Sequence, residues 1–212
     1  SVNLPSRPVY VAANRQGIRN ADRALGTLFE YLETHFSDDE YIVHLYSDHG
    51  VSIYEEEPYL TSETQAGAAL MVRGGDIPAR GIVHELTSGV DLYNIMAHTV
   101  GFPVGETVDG NLPAAFGGME RTHVITNSIY PGKPYELGIR TTDYEFRLRS
   151  RDRVGMDGTV DLTGAQMWVW RRTPAHEPVS DEGVLGYFRD IARDFTRGTI
   201  DNAGHRWPES IV

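Results

Sequence analysis

The stretch EYIVHLYSDHGVSIYEEE, residues 40–57, is an apolar run that ends abruptly in Asp48-His49-Gly50. Residues 41–46 (Tyr-Ile-Val-His-Leu-Tyr) form a short segment with a β-branched pair, the pattern of a strand covered on both faces. In an open α/β sheet, ligands collect beyond the carboxyl ends of the strands, which is where Asp48 and His49 fall. A carboxylate and an imidazole side by side on an irregular turn can reach one cation from the same rim, and Gly50 lets the backbone bend sharply after them. The plainer alternative makes Asp48 a turn cap and His49 a surface residue.

Working outward, Ile18, Ala21, Leu25, Leu28, Phe29 and Leu32 recur at three- and four-residue spacing, which predicts a helix over 16–36 with one face for burial. A helix feeding a buried strand is half of a parallel βαβ arrangement. Residues 68–72 (Ala-Ala-Leu-Met-Val) read as a second interior strand ending in Arg73-Gly74-Gly75. Ser88 is placed to cap a helix from about Val90 to Val100, with Leu92, Ile95, Met96 and Thr99 inward, before Gly101 and Pro103 stop it. From about Gly117 the texture changes to short alternating runs separated by turn-formers, the pattern of an antiparallel meander. Trp168 and Trp170 alternate there with Met167 and Val169, a strand with aromatic residues on one face. An amphipathic helix over 181–196, with Val184, Leu185, Phe188, Ile191, Ala192 and Phe195 in its stripe, can cover one face of that sheet. The expected division is residues 1–118 as a partial α/β core and 119–212 as an antiparallel β subdomain with its packing helix.

Composition narrows the chemistry. The 212 residues contain no cysteine, so a metal would have to be held by Asp, Glu, His, Asn or carbonyl oxygens. A net charge of −11 argues against nucleic acid, whose phosphates call for a concentrated basic face. Eighteen of the 19 basic residues are Arg, Lys133 being the single Lys, a bias more readily ascribed to genome composition than to oxyanion binding. No apolar run approaches the roughly 20 residues that cross a bilayer, and no basic-then-apolar leader is visible, so a soluble chain without membrane insertion is expected, its compartment left open. His84, His98 and His123 are widely spaced and lack a partner motif, as packed or surface histidines do.

Taken together, RNADRALGTLFEYL and YIVHLYSDHG resemble the sulfatase family of the alkaline phosphatase superfamily. In that family an Asp-x-x-(Leu/Ile)-Gly helix leads through a polar loop to a strand ending in Ser-Asp-(His/Asn)-Gly. Asp22, Leu25 and Gly26 match the first element, and Ser47, Asp48, His49 and Gly50 the second. Asp91, Leu92, Gly101, Asp109 and Gly110 match a later Val-Asp-Leu helix, its glycine end and an Asp-Gly segment. The likeness spans about residues 18–147. It implies the C-terminal part of an alkaline-phosphatase-like α/β sheet, followed by a small antiparallel sheet with a C-terminal helix. Asp48 and His49 would then be two ligands of a divalent cation, usually calcium, with magnesium, manganese and zinc left open by the imidazole.

Departures from the family pattern set further expectations. The family's formylglycine nucleophile arises from a Cys/Ser-x-Pro-x-Arg motif, and the chain holds no such motif beyond a superficial likeness at Ser1 and LPSRP. The lysine expected after the turn is also missing: residues 51–72 contain no Lys or Arg, leaving Arg73 as the nearest candidate for substrate contact. The run Glu55-Glu56-Glu57 reads as a solvated face. The expectation is therefore the C-terminal portion of a sulfatase-like hydrolase, whose parent acts on a sulfate ester or else on a phosphate or phosphonate ester. A non-catalytic binding or oligomerisation module is the rival reading. Either way, an uncovered helix 16–36 or strand edge should drive self-association or pairing with an N-terminal portion.

Overall fold

The structure, a computed structural model, describes residues 7–52, 60–75, 77–78, 80–105, 108–173 and 175–202. Ser1, the three glutamates at 55–57 and the tail from 203 lie outside the described residues.

Helix α1 spans Arg7–His35. It starts nine residues earlier than the periodicity suggests, because Pro8 falls in the first turn, where backbone N–H groups have no intrahelical acceptor to lose. Not one of its 29 residues is buried. Strand β1 (Ile42–Tyr46) follows, then α2 (Glu63–Ala66) and β2 (Leu70–Gly74). The two strands pair antiparallel, Ile42 opposite Gly74 and Tyr46 opposite Leu70, and form a sheet of two. This corrects the expected parallel arrangement: among the described residues of the connection from β1 to β2, the helix present is the single-turn α2, too short for a crossover that returns the chain parallel. Among the described residues no third strand joins this sheet; β1 is half-buried and Tyr46 exposed, in place of the two-faced burial expected.

Helix α3 (Leu92–Val100) is entered through a 3₁₀ turn at Gly89–Asp91 and ends at Gly101. Ile95 and Ala97 are its buried apolar residues, whereas Met96, expected inward, is exposed. The Thr99 hydroxyl donates to the Ile95 carbonyl at 2.9 Å and accepts from His44 Nε2 at 2.8 Å, which joins α3 to β1. Burial holds the His44 imidazole below its ordinary range, in keeping with that neutral donor role.

Strands β3 (Val124–Ser128), β4 (Pro134–Arg140), β5 (Tyr144–Arg153) and β6 (Gln166–Arg171) form the meander in chain order. Alternation sends Leu137, Ile139, Phe146, Leu148 and Val169 to one face. Helix α4 (Glu182–Asn202) covers that face with the predicted stripe, and Phe188 stacks on Phe146 at 5.6 Å between ring centroids. Asp181 caps α4, its carboxylate accepting from the Val184 N–H at 3.0 Å. The main core of the molecule lies here.

The opposite face of the meander is polar and nevertheless buried. Glu145 is fully buried, and its Oε1 accepts from Arg140 Nη2 at 3.0 Å and from Arg147 Nε at 2.9 Å. Arg140 Nη2 also donates to the Thr61 carbonyl, and the Leu60 N–H donates to Glu136 at 2.9 Å. Arg172 reaches Glu63 on α2 at 2.6 Å. The short segment 60–66 is thereby clamped onto the sheet by charge-assisted bonds at several points. Removing one member of a buried charge cluster strands the others, at a cost of about 3–5 kcal/mol. Glu145→Ala is accordingly expected to lower the unfolding free energy measured in urea by that amount and to loosen segment 60–66, seen as faster hydrogen exchange at the Gly50 amide, which Gln65 of α2 holds.

Candidate functional site

The Ser47-Asp48-His49-Gly50 turn leaves the carboxyl end of β1 and is fastened to α2 and the residues just after it. Ser47 N–H donates to the Ala69 carbonyl at 3.1 Å, and the Ala69 N–H returns a 2.8 Å bond to Ser47 Oγ. Gly50 N–H donates to the Gln65 carbonyl at 2.8 Å. The glycine is demanded by this approach, since a Cβ there would lie 2.0 Å from the Thr64 carbonyl oxygen and 2.5 Å from that of Gly67. Gln65 Oε1 also accepts from the Ser52 hydroxyl at 3.0 Å, so this one residue holds the chain leaving the turn at both Gly50 and Ser52. Helix α2 itself starts at Ser62, whose Oγ accepts from the Gln65 N–H. Sequence reading passed over this element, although Ser62 followed three residues later by Gln65 is a capping-box signal.

Asp48 and His49 sit together on this rim. His49 Nε2 and Asp48 Oδ2 are 3.6 Å apart, and both side chains are open to solvent, 58% and 86% exposed respectively. Asp48 Oδ1 accepts the His49 N–H at 2.9 Å, so the carboxylate does cap the turn as well. His49 Nδ1 lies 2.7 Å from the Gly50 carbonyl oxygen. Gln65 Nε2 lies 3.2 Å from the same nitrogen; the carbonyl accepts and the amide donates, so Nδ1 is held between two neighbours that favour opposite tautomers, while Nε2 faces the carboxylate. Two donors about 2.1–2.3 Å from one ion would stand about this far apart, so the pair suits a divalent cation in donor type and spacing. No group of three or more His, Asp or Glu able to hold a metal occurs among the described residues.

Arg73 is not brought to this rim. The antiparallel register sets it opposite Val43, three residues from the Tyr46–Leu70 end of the ladder, a displacement of roughly 10 Å along the strand. Its guanidinium instead bonds Glu33 on α1 at 2.6 Å and lies 4.9 Å over the Phe29 ring. His98 is exposed and set edge-on to Phe116. Trp168 and Trp170 share one face of β6 with rings nearly parallel, and Arg147 covers Trp170.

The motif around Asp91 is structural in this fold. Asp91 is buried, and its carboxylate accepts from Ser88 N–H and Asn111 N–H, both at 2.8 Å, and from two nitrogens of Arg121. Burial alone would push its carboxyl up, but Arg121 and the two backbone donors outweigh that and hold it below the usual range. Gly110, the matching glycine of the Asp-Gly segment, lies so close to Val90 that a Cβ would meet that carbonyl oxygen at 2.0 Å.

With this geometry in place, the comparison with known families can be read onto the fold. The family model Sulfatase matches residues 7–102, the stretch from α1 to the end of α3 that contains the Asp48–His49 turn. Over that stretch the chain is similar to the sulfatases. No curated protein matches the chain. Among the described residues no helix is long and apolar enough to cross a membrane.

Two variants probe this construction. Gly50→Ala should cost about 2–3 kcal/mol in chemical denaturation, because the turn must leave α2 to make room. For Asp91, a carboxyl lowered in the folded state means that the unfolded chain binds the proton first as pH falls. Its contribution is therefore complete above the unfolded value of about 3.9 and is lost as pH drops towards the folded one. Asp91→Asn should be less stable than the parent at pH 7 by about 3 kcal/mol, and the gap should narrow steadily below about pH 4.

Proposed function

We propose that the chain supplies Asp48 and His49 as two ligands of the divalent cation of a sulfatase-like hydrolase acting on a sulfate ester. The supporting observation is the pairing of Asp48 Oδ2 with His49 Nε2 across 3.6 Å, on a turn inside the family-matched stretch. A bound cation would supply Lewis acidity toward an ester oxygen. The chain's own part is to fix the donors. The Gly50 carbonyl and the Gln65 amide hold the His49 ring by its Nδ1 edge, the His49 N–H orients the carboxylate, and α2 holds the turn in place. Calcium is the family's usual ion, with magnesium, manganese or zinc as the alternatives that an imidazole ligand admits.

Two donors fill a minority of the six to eight positions that calcium takes. We infer that the remaining ligands, and the formylglycine nucleophile, belong to residues other than these 212, which carry no Cys/Ser-x-Pro-x-Arg motif with paired aspartates. On this reading the chain turns over no ester by itself, and Arg73, tied to Glu33, makes no substrate contact.

Paramagnetic manganese tests the assignment without requiring activity. Mn²⁺ titrated into the isotope-labelled chain should broaden the amide signals of residues 47–50 first, with affinity in about the millimolar range expected of a partial site. Asp48→Asn combined with His49→Ala should abolish the effect while the fold persists. Broadening centred elsewhere, or unchanged in the double variant, would remove these residues from the metal site.

A further inference from the structure

Helix α1 is about 44 Å long, yet the rest of the described chain contacts it chiefly at its last turns, where Arg73 meets Phe29 and Glu33. Most helices in proteins draw their stability from a packed apolar face, and α1 has no buried residue at all. Its apolar residues are also more regular than core packing requires. Val11, Ile18, Leu25 and Leu32 recur every seven residues, with Asn14, Ala21 and Leu28 falling three after the first three of them. These are the a and d positions of a heptad seam; its middle is open, Ile18 being 61% exposed and Leu28 42%, while Val11, Asn14, Leu25 and Leu32 are half-buried.

Charge selects the occupant of that seam. Residues 7–20 carry Arg7, Arg15 and Arg19 and no acid, whereas 21–35 carry Asp22, Glu30 and Glu33 against Arg23. Arginines near a helix N-terminus oppose the macrodipole, and an acidic helix end laid beside them relieves this. Two parallel copies would set arginine against arginine. An antiparallel pair sets each basic half against the partner's acidic half.

We propose that α1 is a self-association surface, pairing antiparallel with α1 of a second copy so that Val11, Ile18 and Leu25 meet Leu28, Ala21 and Asn14 of the other helix. In this register Ile18 fills the space left by Ala21, and the small Gly17 and Ala24 face one another across the flank. Arg15 faces Asp22 of the second copy, twice by symmetry.

Sedimentation velocity on the whole chain tests the pairing. A dimer is expected, weakened about tenfold by Arg15→Glu or Asp22→Arg alone and restored when the two are combined. Since the chain has no cysteine, Gly17→Cys with Ala24→Cys should form an interchain disulfide on oxidation. Neither single variant should do so, and the two sites on one helix stand too far apart to bridge. A monomer up to about 100 µM, a dimer indifferent to both charge reversals, or cross-linking by a single cysteine would each overturn the proposal. The last two would place the contact elsewhere or in a different register.

Discussion

The guanidinium of Arg140, shared between the Glu145 carboxylate and the Thr61 carbonyl, is the contact on which the arrangement of this molecule turns. An ion pair taken out of water is costly unless its charges find partners; Glu145 Oε1 meets Arg140 and Arg147, while its Oε2 and Arg140 Nε are buried without a hydrogen-bond partner among the described residues. The cluster thus attaches the polar face of the meander to segment 60–66. That segment, by way of Gln65, holds the turn bearing Asp48 and His49. The large apolar core under α4 supplies stability at a distance from the candidate chemistry and serves it as a foundation.

Periodicity made most of the elements legible. The stripe from Val184 to Phe195 lies in the core, and the alternating runs after Gly117 became the four strands of the meander. Pairing direction was not legible, because a short apolar run such as 42–46 has the same appearance in a parallel or an antiparallel ladder. Depth was misjudged for a related reason: the composition of β1 suits burial on both faces, but burial depends on neighbours that the segment itself does not specify. The role of α2 escaped notice because four residues carry no period, only a cap. Of the candidate site, the Asp-His-Gly triplet could be read from sequence, whereas the tautomer of His49 and the distance between its ring and Asp48 depend on contacts made sixteen residues away and beyond.

The same limit explains Arg73. Counting along the chain makes it the first cation after the turn, but the antiparallel return of β2 carries it back along β1 and toward α1. Asp91 shows the converse. A motif residue that could have been taken for chemistry is enclosed by Ser88, Asn111 and Arg121, and fixes the entry to α3 against the segment leading to the meander.

The grip of Gln65 on the chain leaving the turn joins two events that lie far apart in sequence. An ion settling on His49 and Asp48 would favour the backbone path that Gln65 supports, and so the seating of segment 60–66 on Arg140. Linkage runs equally in both directions, so whatever tightens the sheet against that segment tightens the ion by the same factor. Under the proposed metal assignment, affinity for a cation at the end of β1 would be partly written in a carboxylate on β5, and a shift at either place would be measurable at the other.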